Sequence, residues 1–405
     1  MTNSSSVEQP LSVLRLKKNE ERRLRAGHCW IFSNEVNVKE SPLSGFEPGQ
    51  IIEIHDSRGK SLGTGYVNPK SLICARLINR NPSRPLSMSL LVERLKQALS
   101  IRELLYPKPY YRLVYGEADG LPGLVVDRYA GILVMQITTA GMERMKLDIV
   151  TALEKVVGPS AILLRNDNSI REMEGLDTYV ETIFGEVPEK VQLEENGCPF
   201  EVSLKGGQKT GWFYDHRENR ARLGKYVKDR RVLDMFSYVG GWGIQAAVAG
   251  ASQVVCVDSS QMALEQLSKN SALNHVEDRV STMQGDAFDV LKNLRDTQEK
   301  FDVVVLDPPA FIKRRKDAKK GLEAYRRLNE LAMKVLAKDG ILVSASCSYH
   351  LQREDLQNLL LKTSRSMGNS LSILEQGYQG PDHPMHPAIP ETAYLKAIFS
   401  RILSA

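Results

Sequence analysis

The sequence predicts an α/β protein in three parts: a small N-terminal β domain, a small middle α/β domain, and a C-terminal parallel sheet wound with helices on both faces. Three observations carry this expectation. Short apolar runs broken by Gly, Pro and Asn fill the first eighty residues; a polar break at Pro82 and Pro85 precedes a run of helical period; and from Arg231 onward strand-like and helix-like runs alternate to the end of the sheet pattern. The expected boundaries are 11–82, 86–200 and 205–405.

A chain of 405 residues exceeds what one compact core usually holds. Its 42% hydrophobic and 25% charged residues fall in the ordinary globular range and exclude a disordered or fibrous chain. No apolar run reaches membrane-spanning length, so no membrane partner is expected. The polar stretch Met1 to Pro10 lacks the basic flank and apolar segment of a signal peptide, which makes the cytoplasm the default location. Five cysteines, odd in number and without Cys-x-x-Cys spacing, argue against a disulfide framework and a structural zinc site, so no metal is expected. The net charge of +5 suits a polyanionic partner without requiring one.

In the first part, Gln50 to Asp56, Gly63 to Val67 and Leu72 to Leu77 read as strands. Ahead of them a basic, helix-like stretch from Arg15 to Arg25 meets the aromatic run Gly27-His28-Cys29-Trp30-Ile31-Phe32. Phosphate and base contacts need that mixture, although a solvated amphipathic helix would carry the same charges. The pattern from Leu16 to Ser33 resembles a PUA domain, a small RNA-binding β barrel. That resemblance implies RNA contacts by Lys17, Lys18, Arg22 and Arg23.

The middle part opens with a helix over Leu86 to Leu105 and continues with strands at Gly123 to Asp127 and Ile132 to Ile137 and a helix near Met142 to Val157. It shows no chemistry of its own. Its turn Glu117 to Gly123 reads as a plain turn whose acids are solvated.

The third part carries the chemistry. Strands are expected at Val232 to Phe236, Gln253 to Val257, Val280 to Met283, Phe301 to Leu306 and Gly340 to Ala345, and sheets of this kind bind ligands at the carboxyl ends of their strands. The first strand runs into Asp234-Met235-Phe236-Ser237-Tyr238-Val239-Gly240-Gly241-Trp242-Gly243, a glycine turn opening a helix. Asp258 ends the second strand about 20 residues beyond, the spacing at which an acid accepts the two ribose hydroxyls of an adenosine. Asp286, after the third strand, suits the adenine amino group. Dinucleotide enzymes share the glycine turn, but Asp234 would repel a pyrophosphate and attract the ammonium of a methionine, and the spacing departs from G-x-G-x-x-G. Residues 205–405 therefore resemble the class I S-adenosylmethionine methyltransferases, which implies a Rossmann-like domain holding S-adenosylmethionine through Asp234, Phe236, Gly240, Gly241, Asp258 and Asp286.

The fourth strand ends in Asp307-Pro308-Pro309-Ala310-Phe311. In methyltransferases of this class such a turn lies beside the target base, proline fixing the backbone and presenting Asp307, which with Pro308 also borders the cofactor. The run Lys313, Arg314, Arg315 beside it would hold phosphates, or else form a solvated face. The fifth strand ends in Ser344-Ala345-Ser346-Cys347-Ser348-Tyr349-His350, placing Cys347 at the same edge of the sheet. Carbon 5 of a pyrimidine attacks a methyl donor only after a thiolate has added to carbon 6, and Cys347 is placed to supply it; the alternative is a small buried apolar residue, as expected for Cys74 and Cys256. A helix starting near Leu351 would favour the thiolate.

Just upstream of the first strand stands Gln208-Lys209-Thr210-Gly211-Trp212-Phe213-Tyr214-Asp215-His216-Arg217-Glu218-Asn219-Arg220. By composition it is a loop capped into a helix by Asp215. It also resembles the signature of the bacterial ribosomal RNA large-subunit methyltransferase I family, in which it helps close the cofactor site, and this adds Phe213, Asp215 and Arg217 to the cofactor-binding set. The likeness runs nearly the whole length, to the tail His383-Pro384-Met385-His386-Pro387 ahead of Pro390-Glu391-Thr392. It implies formation of 5-methylcytosine in 23S ribosomal RNA by a homodimer, with Cys347 as nucleophile and Asp307 as its catalytic neighbour. Pro309 and Ala310 stand where other RNA cytosine methyltransferases carry a second cysteine, so product release needs no second thiol, and the base for the carbon 5 proton stays unassigned. Two other readings fit the same residues: methylation of a guanine nitrogen, and a ribosome-binding factor whose cofactor pocket is a relic.

Overall fold

The computed structural model describes residues 10–404 and divides into two compact units. One runs up to Pro188 and takes in Gln208–Thr210 and Asp382–Thr392; the other comprises Glu189–Gly207, Gly211–Pro381 and the chain from Ala393 onward. No helix among the described residues is long and apolar enough to cross a membrane.

The first unit holds two five-stranded sheets. In the N-terminal one the order is Ser12–Arg15, Gln50–His55, Ser61–Val67, Ala75–Asn79, Trp30–Ile31. Alternation buries Ile52 and Ile54 and turns Glu53 outward, and Leu14, Leu16, Leu24, Ile31 and Val67 complete the core. The basic stretch differs from the expected helix: Arg15 ends a strand, Asn19 adopts a left-handed backbone (φ 72°), and the helix is only Glu21–Arg25. Leu24 is its one buried residue, too little apolar surface to support a longer helix. The third expected strand also starts later, at Ala75, because Leu72 lies in an exposed bend.

The second sheet has the order Tyr179–Gly185, Ala161–Asn166, Ile132–Ile137, Leu124–Tyr129, Tyr110–Tyr115, and helices Met88–Leu105 and Lys146–Val157 pack together against it. The expected helix from Met142 breaks at Met145, leaving Ala140–Arg144 as a separate turn. The acids of the 117–123 turn are not solvated, contrary to the sequence expectation. Arg102 is 0% exposed, and a buried guanidinium needs a fixed counter-charge, which Asp119 provides through contacts of 2.6 and 2.7 Å. Glu117 accepts from Trp30 Nε1 at 2.9 Å.

The second unit opens with the hairpin Lys190–Glu195 and Cys198–Ser203, whose second strand contains the boundary expected at residue 200. Asn270 and Asn274 bind its backbone at Glu201 and Pro199, which ties the hairpin to the parallel sheet. That sheet comprises β1 (Arg231–Met235), β2 (Gln253–Asp258), β3 (Val280–Gln284), β4 (Phe301–Leu306), β5 (Leu336–Ser346), β6 (Asn369–Gly377) and β7 (Lys396–Ser404). Their order is β3-β2-β1-β4-β5-β7-β6, with the first five parallel and β7 antiparallel between β5 and β6. The helices are α1 (Arg217–Leu223), α2 (Gly241–Val248), α3 (Gln261–Leu273), α4 (Ala287–Asp296), α5 (Ala318–Val335) and α6 (Arg353–Ser366). β1 is buried from Val232 to Met235 and β4 at every residue but Asp302, as strands covered on both faces must be. The strand order reverses between β1 and β4, so the turns after β1, β2, β4 and β5 share one edge, where a crevice is expected.

Candidate active site

The turn after β1 is strained. Phe236 (φ 64°), Tyr238 (φ 50°) and Gly240 (φ 94°) all adopt left-handed backbone, which costs a non-glycine residue about 1–3 kcal/mol and persists only where surrounding bonds impose it. Those bonds are present: Ser237 N donates to Val257 O and Tyr238 N to Asp258 Oδ2, both at 2.9 Å. Asp258 Oδ1 accepts from Ser260 N at 2.9 Å, so this acid shapes the turn as well as facing the edge of the sheet. Gly243 lies against β2, where a β carbon would collide with Cys256 Sγ. Its amide donates to Asp234 Oδ2 at 2.8 Å.

Asp234 is 0% exposed, and its Oδ1 has no hydrogen-bond partner. Burial, reinforced by the charges of Asp307 and Asp258 and opposed by the Gly243 amide and Arg220, pushes its carboxyl up to about 8. A buried acid with one unsatisfied oxygen fits an incoming ammonium, the group at the amino-acid end of S-adenosylmethionine. Asp286 has a further task that the sequence reading did not assign: it caps α4, its Oδ1 accepting from Phe288 N at 2.9 Å and Asp289 N at 3.3 Å. Phe236 is half-buried against the core, and the Phe213 ring meets Tyr238 edge-on at 5.8 Å.

At the end of β4, Asp307 receives His216 Nε2 on Oδ1 at 3.1 Å and Trp242 Nε1 on Oδ2 at 3.0 Å. Burial opposes its ionisation, but the His216 and Trp242 contacts outweigh burial and hold it below the usual carboxylate range. Asn219 Nδ2 lies 3.2 Å from His216 Nδ1 and donates to it, which directs the ring proton of Nε2 at Asp307. Pro308 behind it is buried.

The β4 and β5 turns are joined by Tyr325 of α5. Its hydroxyl lies 2.8 Å from Ser346 Oγ, 3.0 Å from Ser348 Oγ and 3.5 Å from Phe311 N, while Ile312 N donates to Ser348 Oγ at 3.3 Å. Half-buried Cys347 stands between those serines, beside the Asp307 turn. Cys74, Cys198 and Cys256 are buried, and burial pushes the Cys74 thiol up to about 12 and that of Cys198 to about 11. Cys29 is raised to about 12 by the same cause.

Asp215 does not cap α1; its Oδ2 takes the hydroxyl of Tyr394. The aromatic and basic density of this segment surrounds buried Glu195, which accepts from Arg220 at 2.7 Å, Trp212 Nε1 at 2.8 Å and Gln245 at 3.0 Å, with Arg217 Nε 3.7 Å away. The Arg220 guanidinium stacks over Trp212 at 4.8 Å, and Arg217 over Tyr214 at 5.3 Å. Gly241 fits closely against Arg220 and Trp212, so the segment braces the first turn of α2. Sequence reasoning passed over His216, Trp242, Glu195 and Lys396. The first three lie inside or near quoted motifs, whereas Lys396 opens β7 opposite Ser346, a pairing no local pattern announces.

The basic residues expected at RNA divide by environment. Lys313, Arg314 and Arg315 are exposed, with Arg314 3.3 Å from Asp317. Lys17, Lys18 and Arg22 are also exposed, whereas Arg23 is half-buried and bound to Glu35 at 2.7 and 3.0 Å. Among the described residues no group of three or more His, Cys, Asp or Glu side chains is placed to hold a metal ion.

Residues 14–80 match the PUA-like domain family, and residues 124–401 match the family described as S-adenosylmethionine-dependent methyltransferase. Ribosomal RNA large subunit methyltransferase I of Enterobacter sp. (strain 638) is 36% identical over 393 residues, covering 96% of this chain and 98% of its own; the Cronobacter sakazakii protein of the same name is 35% identical with the same coverage. The chain belongs to the ribosomal RNA large subunit methyltransferase I family. Its cofactor is S-adenosylmethionine. In fold, this family member is similar to SMU.776, solved with SAH and described as a methyltransferase (TM-score 0.83, 19% identity, 96% of this chain and 100% of that one). A Streptococcus mutans S-adenosylmethionine-dependent methyltransferase gives a TM-score of 0.81 at 20% identity with the same coverage.

Proposed function

We propose that the protein methylates carbon 5 of a cytosine in 23S ribosomal RNA through a covalent adduct with Cys347. The relatives' shared name, over nearly the whole of both chains, supports a ribosomal RNA substrate. The observation that carries the chemistry is the position of Cys347 beside the Asp307 turn, the two serines that flank it being joined to that turn through Tyr325. When bound, S-adenosylmethionine supplies an electrophilic methyl group. Asp234 would hold its ammonium, Asp258 its ribose hydroxyls and Asp286 its adenine end, with Phe236, Gly240, Gly241, Phe213, Asp215 and Arg217 shaping the site.

Cys347 forms a bond from sulfur to carbon 6 of the base, and the electron pair of the 5,6 double bond moves to carbon 5, which becomes the nucleophile. Once carbon 5 is alkylated, loss of its proton and expulsion of the thiolate restore the double bond. Asp307, kept ionised by His216, lies beside the base as an acceptor of fixed charge. Lys313, Arg314 and Arg315 follow that turn and suit backbone phosphates, as do Lys17, Lys18 and Arg22 of the PUA-like domain. The family resemblance extends this reading to a cytoplasmic homodimer, which light scattering tests.

Mass-spectrometric mapping of ribosomal RNA from cells with and without the protein tests the assignment. One 5-methylcytosine in 23S RNA should disappear with the protein; an unchanged cytosine profile, or loss of a methylguanine instead, would overturn it.

A further inference from the structure

We infer that Lys396 is a positioning residue that holds Cys347 as its thiolate, its ammonium being carried by β7 to the turn after β5. The inference deepens the proposed role of Cys347 and rests on it for its purpose, but the ion pair can be measured without methyl transfer.

The antiparallel pairing of β5 with β7 sets Lys396 opposite Ser346, the residue before Cys347. Lys396 is only 5% exposed, and its Nζ donates to the carbonyl of Ser348, the residue after Cys347, at 2.5 Å. Lys396 therefore meets both neighbours of the thiol, Ser346 by strand pairing and Ser348 through its ammonium. Among the described residues no carboxylate forms an ion pair with this buried cation, an expensive arrangement unless another anion is near.

The charged and titratable groups around it come from three elements. Cys347 follows β5, Arg353 opens α6, and the hydroxyl of Tyr325 from α5 lies on both serines. Arg353 is engaged elsewhere, stacked 3.8 Å from the centre of the Tyr378 ring and donating to Gly377 O at 3.0 Å. Burial, aided by the charge of Arg353, brings the Lys396 ammonium down to about 8, and Cys347 is the group that opposes the loss of its proton. Since that attraction is mutual, the ammonium favours the thiolate by the same interaction. A lysine serving only to tie β5 to β7 would need the Ser348 carbonyl but would leave the thiol's ionisation unchanged.

Alkylation of Cys347 by iodoacetamide, followed over pH by peptide mass spectrometry, separates these cases. The native protein should show a midpoint clearly below the ordinary thiol value of about 8.5. Lys396→Met should raise it by about one unit or more and slow alkylation at pH 7 about tenfold, while Lys396→Arg should largely restore it. Cys29 in the same digest serves as a slow internal control. The methyltransferase rate profile should shift with the alkylation midpoint, KM for S-adenosylmethionine staying within about twofold. A native midpoint at or above 8.5, or a methionine variant with an unaltered profile, would overturn the inference. If the methionine variant fails to bind S-adenosylhomocysteine, and so has not folded, the native midpoint and the arginine variant decide. Full methylation by Cys347→Ala would instead remove the nucleophile reading and leave the alkylation result standing.

Discussion

Asp234 near the end of β1 and Asp307 just after β4 are two acids from adjacent strands of one sheet, yet they sit in opposite electrostatic conditions. Asp234 is wholly buried and keeps one oxygen unpartnered, and burial pushes its carboxyl up to about 8. Asp307 is embraced by His216 and Trp242, with both oxygens engaged and its charge stabilised. The first keeps an oxygen open; the second has both oxygens satisfied. Strand position brings both acids to one edge of the sheet, while their surroundings push their ionisation in opposite senses.

The largest effect expected is at the neighbouring thiol. Cys347→Ala should reduce turnover by about 10³-fold or more while leaving S-adenosylhomocysteine binding intact by calorimetry. Full activity in that variant would make the Asp307 edge a simple base-binding platform. Asp307→Asn, which keeps the shape but removes the charge facing His216, should lower kcat by about 10²-fold with little change in cofactor affinity. Asp234→Asn should do the reverse, weakening cofactor binding about ten- to hundredfold with kcat at saturation nearly preserved. Equal effects of the two substitutions on both constants would erase the contrast.

The proton held by Asp234 sharpens it further. With the carboxyl pushed up to about 8, the free protein carries that proton at neutral pH, and on the proposed reading an arriving ammonium would expel it. Calorimetry at pH 7 in buffers of different ionisation heat should show release of about one proton on S-adenosylhomocysteine binding, absent in Asp234→Asn. Affinity should rise between pH 6 and pH 8 and level off above. For the free protein the sign is the opposite: a carboxyl raised in the folded state contributes stability below its unfolded pKa that is lost as pH rises through about 8. The Tm of the free protein should therefore show a downward contribution with rising pH across that window, removed in Asp234→Asn. The smallest effect concerns Lys313, Arg314 and Arg315. Their joint replacement by alanine should flatten the salt dependence of RNA binding by about two to three phosphate contacts, leaving cofactor affinity unchanged.

Much of this site was legible in the chain because it is built at strand ends. Phe301 to Leu306 is the observed β4 to the residue, β1 and β2 are displaced by no more than one, and Asp234, Asp258, Asp307 and Cys347 follow from that frame. Partners distant in sequence were not legible. His216 reaches Asp307 across 91 positions and Lys396 reaches Ser348 across 48, distances at which neither period nor spacing carries a signal. Segments with mixed duties were misjudged for a related reason. The Glu117 and Asp119 acids look solvated until Trp30 and Arg102 are brought to them, and the Arg15 to Arg25 stretch looks helical because its charges are even and its apolar content is slight. Asp286 and Asp215 have local duties, capping α4 and receiving Tyr394, that composition assigned elsewhere or left open.

The position of β7 also has a consequence for a truncated chain. β7 is translated after every other strand of this sheet, yet it is inserted between β5 and β6 and delivers Lys396. A fragment ending ahead of Lys396 leaves two strands without their shared neighbour and the Ser348 carbonyl without the Lys396 ammonium. On the inference drawn from Lys396, Cys347 in such a fragment should alkylate no faster than an ordinary thiol.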